Sequence, residues 1–240
     1  MTEKLNVLGA KIDRVVLSEA MDIIKCYLGG SQCKMIVTPN PEIIMAAVKD
    51  SELMNIINNA DLVAPDGIGL VYASKVMKQP LRERVTGIDL LEDILSQLNR
   101  TGQSIYLLGS KPGISERAAE EMIKQYPNLK IAGTYHGYFT KDEETEIIEQ
   151  INRVSPDCLC VALGSPKQER FIYKYRGLLK TKVAIGVGGS LDVWAGELKR
   201  APDFYRKFGL EWLYRLIQQP SRYKRMAALP VFMIKIILKR

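Results

Sequence analysis

Short apolar runs alternate along this chain with longer segments in which apolar residues return every three or four positions. CKMIVT, DLVAP, SIYLLG, LKIAGTY, DCLCVALG and KVAIGVGG are the runs. Their length, β-branched content and polar or glycine borders predict buried strands. KLNVLG and KIDRVVL, at the start, read as two further short strands. The segments between carry the helical period: PNPEIIMAAVKD, SELMNIINNA, GIGLVYASKVM, SERAAEEMIKQYP, DEETEIIEQINRV and PKQERFIYKYRGLL. Ser18 is the expected cap of SEAMDIIKCYL, which stops at Gly29-Gly30, and Thr86 that of TGIDLLEDILSQLNRTG.

Strands alternating with helices predict an α/β chain, a Rossmann-like, mostly parallel sheet with helices on both faces. The pattern changes near residue 195, beyond which no strand is evident and the text becomes basic and aromatic. Residues 1–195 are therefore expected to form a Rossmann-like catalytic domain, and 196–240 a basic amphipathic C-terminal appendage. At 240 residues and 47% hydrophobic, the chain can bury one good core plus such an appendage. The opening MTEKLNVLGAKIDRVV does not suggest a secretion signal. The longest uncharged apolar run, MAALPVFMI, is too short to cross a bilayer and meets Lys235 at once.

Charge sharpens the division. From Lys199 onward there are eleven Lys and Arg against Asp203 and Glu211, so this stretch carries +9 in a chain of net charge +7 and the rest sums to −2. Such asymmetry points to an anionic partner: phosphate groups, nucleic acid or a lipid surface. Cys26, Cys33, Cys158 and Cys160 come with a single histidine, too few partners for a metal site, and are expected to be reduced thiols of a cytosolic protein.

Ligands of open parallel sheets bind beyond the carboxyl ends of the strands. There this chain places TPNPE, PDG, SKPG, SPKQE and GGSLD, each a polar or glycine-rich turn opening a helix whose backbone N–H groups suit an anion. Each has a plainer reading. TPNPE makes a proline-fixed turn with Asn40 as an Asx cap. Pro-Asp-Gly is a turn signal in its own right. GVGGS serves close approach to a phosphate or relief of helix–strand packing. LLGSKPG is only part of a dinucleotide fingerprint. His136, in TYHGYF, has no Ser or Cys partner and reads as a turn residue. No Ser-His-Asp order, H-E-x-x-H, Walker lysine loop or D-x-D occurs, so a diphosphate would be met by arginine forks such as those of Arg215, Arg222 and Arg225.

TPNPE, APDGIG, ERVTGID, LLGSKPG, ALGSPKQE, GVGGSLDVWAGELKRAP and GLEWLYRL, in this order, closely resemble the WecG/TagA/CpsF glycosyltransferase family, and above all its wall-teichoic-acid branch. The resemblance implies an inverting transfer of N-acetylmannosamine from UDP to undecaprenyl-diphosphate-linked N-acetylglucosamine, giving a β-1,4-linked disaccharide lipid. It implies Asp66 as the base that takes the acceptor's proton, with Thr38 and Asn40 beside the sugar. Arg84 and Gln168 match further active-site positions, and Gly188 and Gly189 fit close approach by a ligand. Arg215, Arg222 and Arg225 match an appendage that closes over the diphosphate. Desolvation is expected to raise the pKa of Asp66 and Arg84 to lower it. Neither a cofactor nor a metal is implied.

The tail, with Trp212, Tyr214, Val231, Phe232, Ile234, Ile236 and Ile237 among its cations, suits a helix lying on an anionic bilayer. Its other readings are a helix packed on the body or on another subunit, which leaves a homo-oligomer open. The expected partners are thus a UDP-sugar, a polyprenyl-diphosphate-linked sugar and an anionic membrane surface, at the inner face of the cell membrane, and not nucleic acid. Donors carrying N-acetylmannosamine uronic acid or glucose remain open. So do a nucleotide-dependent oxidoreductase or epimerase and a nucleic-acid binder working through the tail.

Overall fold

The computed structural model describes residues 2–220, 223–226 and 228–238. Its centre is a six-stranded, all-parallel sheet of β3 (Lys34–Val37), β4 (Leu62–Val63), β5 (Ser104–Gly109), β6 (Lys130–Tyr135), β7 (Cys158–Ala162) and β8 (Val183–Gly186), in the order β4-β3-β8-β7-β5-β6. The first two predicted strands, β1 (Lys4–Val7) and β2 (Ala10–Asp13), pair with each other as a separate antiparallel hairpin. Buried Asp13 joins that hairpin to the sheet by accepting the Val63 N–H at 2.8 Å.

Period-2 alternation divides the strand residues between two cores. Met35, Val37, Leu159, Val161 and Ala184 face one layer, made by α2 (Pro41–Ala47), α3 (Ser51–Asn58), α4 (Ile68–Val76), α7 (Glu144–Val154) and α8 (Lys167–Tyr175). Ile36, Cys158, Cys160, Val183 and Ile185 face the other, made by α1 (Leu17–Leu28), α5 (Gly87–Thr101), α6 (Ile114–Gln125) and α9 (Ser190–Trp194). All four cysteines are free, and Cys158 and Cys160 are fully buried. Among the described residues no cluster of His, Cys, Asp or Glu could hold a metal ion.

Two sequence expectations need correction. Ser18 does not cap α1. The helix already begins at Leu17, and Glu19 closes its end by accepting the Val16 N–H at 3.1 Å. Thr86 does cap α5, accepting the Asp89 N–H at 3.2 Å.

The second correction concerns the tail. It folds as α10 (Asp203–Lys207), α11 (Glu211–Gln218), α12 (Tyr223–Met226) and α13 (Ala228–Leu238). Phe232 and Ile236, expected to meet lipid, are buried in the body's core, where α13 packs on α2 and α4. They stand one helical turn apart and form the inner stripe of that helix. Val231, Ile234, Ile237 and Leu238 remain exposed.

Candidate active site

The carboxyl ends of neighbouring strands β3 and β4 bring three of the expected residues together. Thr38 and Asn40 follow β3, Asp66 follows β4, and the Asp66 N–H donates to the Pro39 carbonyl at 3.3 Å. Asn40 caps α2, its Oδ1 accepting the Ile43 N–H at 3.0 Å. Gly67 takes φ +86°, a backbone turn that an L side chain would strain. The chain then runs against Pro41 so closely that a Cβ at Gly69 would stand 2.7 Å from its ring. Thr38 Oγ1 abuts Gly87, so α5 starts directly beside this turn. The Asx-cap reading and the active-site reading of TPNPE are therefore compatible: the cap fixes the loop on which Thr38 sits.

Asp66 keeps some surface exposure, but protein crowds its carboxyl. Desolvation dominates and pushes its pKa up to about 6, raised further by Glu211 and Asp89 and opposed first by Arg215 and then by Arg84. Such a carboxyl is a better base than one free in water and is still mostly ionised at neutral pH.

Arg84 enters from the segment before α5, where the Val85 N–H donates to the Pro65 carbonyl at 2.7 Å. Its Nη1 meets Glu211 Oε2 at 2.7 Å, and its Nη2 donates to the Arg206 carbonyl at 3.0 Å. Arg215 lies one turn further along α11, exposed, with its charge acting on Asp66. Arg222 lies outside the described residues. Arg225 falls in α12, and its side chain also lies outside them.

The remaining expected residues gather at the ends of β7 and β8. Gln168 is buried; its Oε1 accepts the Gly188 N–H at 3.0 Å and its Nε2 donates to Glu169 Oε1 at 3.0 Å. Gly186 leaves room for that amide, which would stand 2.5 Å from a Cβ there. Gly189 and Arg215 line one pocket of about 140 Å³, together with Asp192, Lys199, Arg200 and Glu211. Arg200 is held in this wall by Asp89 and by Glu92, the latter at 2.6 Å. A larger, open groove of about 440 Å³, lined by Trp194 and Glu121 among others, shares Ile88 and Val193 with the pocket but none of the expected residues. His136 turns away into its own loop, accepting the Tyr138 N–H at 3.2 Å and stacking on Tyr135.

Three site residues escaped the sequence reading: Glu211, Arg200 and Asp192, the last accepting from Ser110 Oγ at 3.2 Å. Glu211 did leave a signal, being one of two acids among the eleven cations of the tail. Together the rim offers a carboxyl of raised pKa, guanidinium groups whose charge acts on it, and a pocket that Arg215 and Glu211 line. That combination suits proton removal from a hydroxyl next to a departing anion.

Comparison with known proteins points the same way. A profile of the glycosyl transferase WecG/TagA/CpsF family matches residues 5–240. The chain is 38% identical over 213 residues to the N-acetylglucosaminyldiphosphoundecaprenol N-acetyl-beta-D-mannosaminyltransferase of Bacillus subtilis strain 168, covering 89% of this chain and 82% of that enzyme. Enzymes of the same name from Bacillus spizizenii strain W23 and Staphylococcus aureus strain MRSA252 are each 36% identical. The match covers 94% of this chain and 87% of the first, and 98% of this chain and 92% of the second.

Proposed function

The chain belongs to the WecG/TagA/CpsF family of glycosyl transferases, and on that premise we propose that it moves N-acetylmannosamine from UDP to undecaprenyl-diphosphate-linked N-acetylglucosamine. The product is the β-1,4-linked disaccharide lipid of the wall-teichoic-acid linkage unit. The acceptor hydroxyl attacks the donor's anomeric carbon from the face opposite UDP. As the new C–O bond forms, the bond to the diphosphate breaks and Asp66 takes the hydroxyl proton. Arg215 faces the negative charge that develops on the departing diphosphate. Thr38 and Asn40 hold the sugar, and the Gly188–Gly189 turn, fixed by Gln168, lets the nucleotide approach the backbone.

The observation that carries this reading is the strand-end carboxyl of raised pKa on which the charge of Arg215, a wall residue of the pocket, acts. Incubation with UDP-N-acetylmannosamine and a short-chain lipid-linked N-acetylglucosamine should yield a disaccharide lipid by mass spectrometry. Product only from the glucose or uronic-acid donor would reassign the sugar; no product from any of them sinks the reading. Asp66 must be ionised to act, so kcat/KM should fall tenfold per pH unit below about 6 and level off above it. A flat profile between pH 5 and 8 removes Asp66 from the role of base.

We place the enzyme on the inner face of the membrane as a peripheral protein. Among the described residues no helix is long and apolar enough to cross a bilayer. Instead α13 shows solvent an apolar face of Val231, Ile234, Ile237 and Leu238, next to the basic stretch. Replacing Ile234 and Ile237 together by Asp should lower co-sedimentation with phosphatidylglycerol vesicles about tenfold or more. Unchanged sedimentation would move the membrane contact elsewhere.

A further inference from the structure

We propose that Arg84 and Glu211 form the anchor that positions Arg215 beside Asp66, so that Arg84 acts through Glu211 and not by touching the diphosphate. This rests on the roles given above to Asp66 and Arg215, and it adds Glu211 as a positioning residue.

Both partners are largely out of water, at 19% and 17% exposure, and meet at 2.7 Å. Arg84 also spends its Nη2 on the Arg206 carbonyl, so two of its donors already hold the tail. On its other side the neighbouring Val85 N–H holds Pro65, the residue before Asp66. Arg84–Val85 is thus a strut between the turn that carries Asp66 and the helix that carries Arg215.

A second contact fixes the same relation independently. Gly209, two residues before Glu211, takes φ +69° and lies so close to Ile68 that a Cβ there would stand 2.7 Å from its side chain. Ile68 follows Asp66 by two residues. The entrance to α11 therefore rests on the Asp66 turn. From Glu211 the helix runs four residues, one turn, to Arg215 on the same face, and both side chains line one pocket. Removing either member of the pair leaves the other charge shielded and unpaired, which favours release of the helix.

Charge reversal separates anchoring from substrate contact. In the full chain, Arg84→Glu and Glu211→Arg should each lower kcat about ten- to hundredfold and speed hydrogen exchange of the α11 amides about tenfold, effects typical of breaking a shielded ion pair. The double variant should regain kcat to within about fivefold of the parent and restore the exchange protection, as coupled partners do. A double variant that regains protection but stays as slow as Arg84→Glu would overturn the proposal and return Arg84 to the substrate. Single variants with unchanged α11 exchange would overturn it as well. The exchange measurement needs no sugar donor, so failure of the anchor and failure of the glycosyl-transfer reading are told apart.

Discussion

Replacing Asp66 by Asn should lower kcat by about 10²–10⁴ while UDP affinity changes less than about threefold. Asn has nearly the shape of Asp and keeps the backbone bond from residue 66 to the Pro39 carbonyl, but its amide cannot take the proton at useful pH. The same change should stabilise the protein. Burial lifts the folded-state pKa of Asp66 from 3.8 to about 6, so between these values the folded chain binds more protons than the unfolded one. Stability is therefore lost as pH rises through that window and stays lost above it. A neutral residue removes the cost, so the variant should gain about 1–3 kcal/mol at pH 7, seen as a higher Tm. Lost activity in a stabilised protein cannot be ascribed to unfolding. Near-parental turnover in the variant would end the assignment of the base.

The sheet was legible because its strands are near-continuous runs of β-branched and other apolar residues, the mark of strands buried on both faces. Their order was not. β8, last in sequence, inserts between β3 and β7, and the runs themselves carry no record of which neighbour each takes. The turn at Asp66 could be placed from Pro-Asp-Gly at a strand end. The raised pKa of its carboxyl comes from burial in the folded chain, and is tuned by Arg215 and Glu211 of α11, far along the sequence.

The tail was read least well, for a physical reason. α13 is apolar nearly all round, so periodicity could not say that Phe232 and Ile236 turn inward while Ile234 and Ile237 turn out. Arg84 shows the same limit in charge. The sequence marks it as a cation near the site, yet its partner Glu211 lies 127 positions away. Reading both as separate surface charges misses that they hold two parts of the rim together.

Replacing Arg215 by Ala should lower kcat/KM about 10²–10³, the usual loss for a group aimed at charge that develops in the transition state. It should also move the pH profile. Arg215 is the strongest influence opposing the rise of the Asp66 pKa, so its removal makes the carboxylate harder to form and carries the acidic limb above about 6. Arg215→Lys divides the two effects. An ammonium preserves most of the charge, so the limb should stay near the parental position. It lacks the planar fork that binds a diphosphate with two parallel bonds, so kcat/KM should fall between the parent and the Ala variant. If neither variant lowers the rate and neither shifts the limb, Arg215 acts on neither the diphosphate nor Asp66. The close packing of α11 on the Asp66 turn would then serve the fold alone.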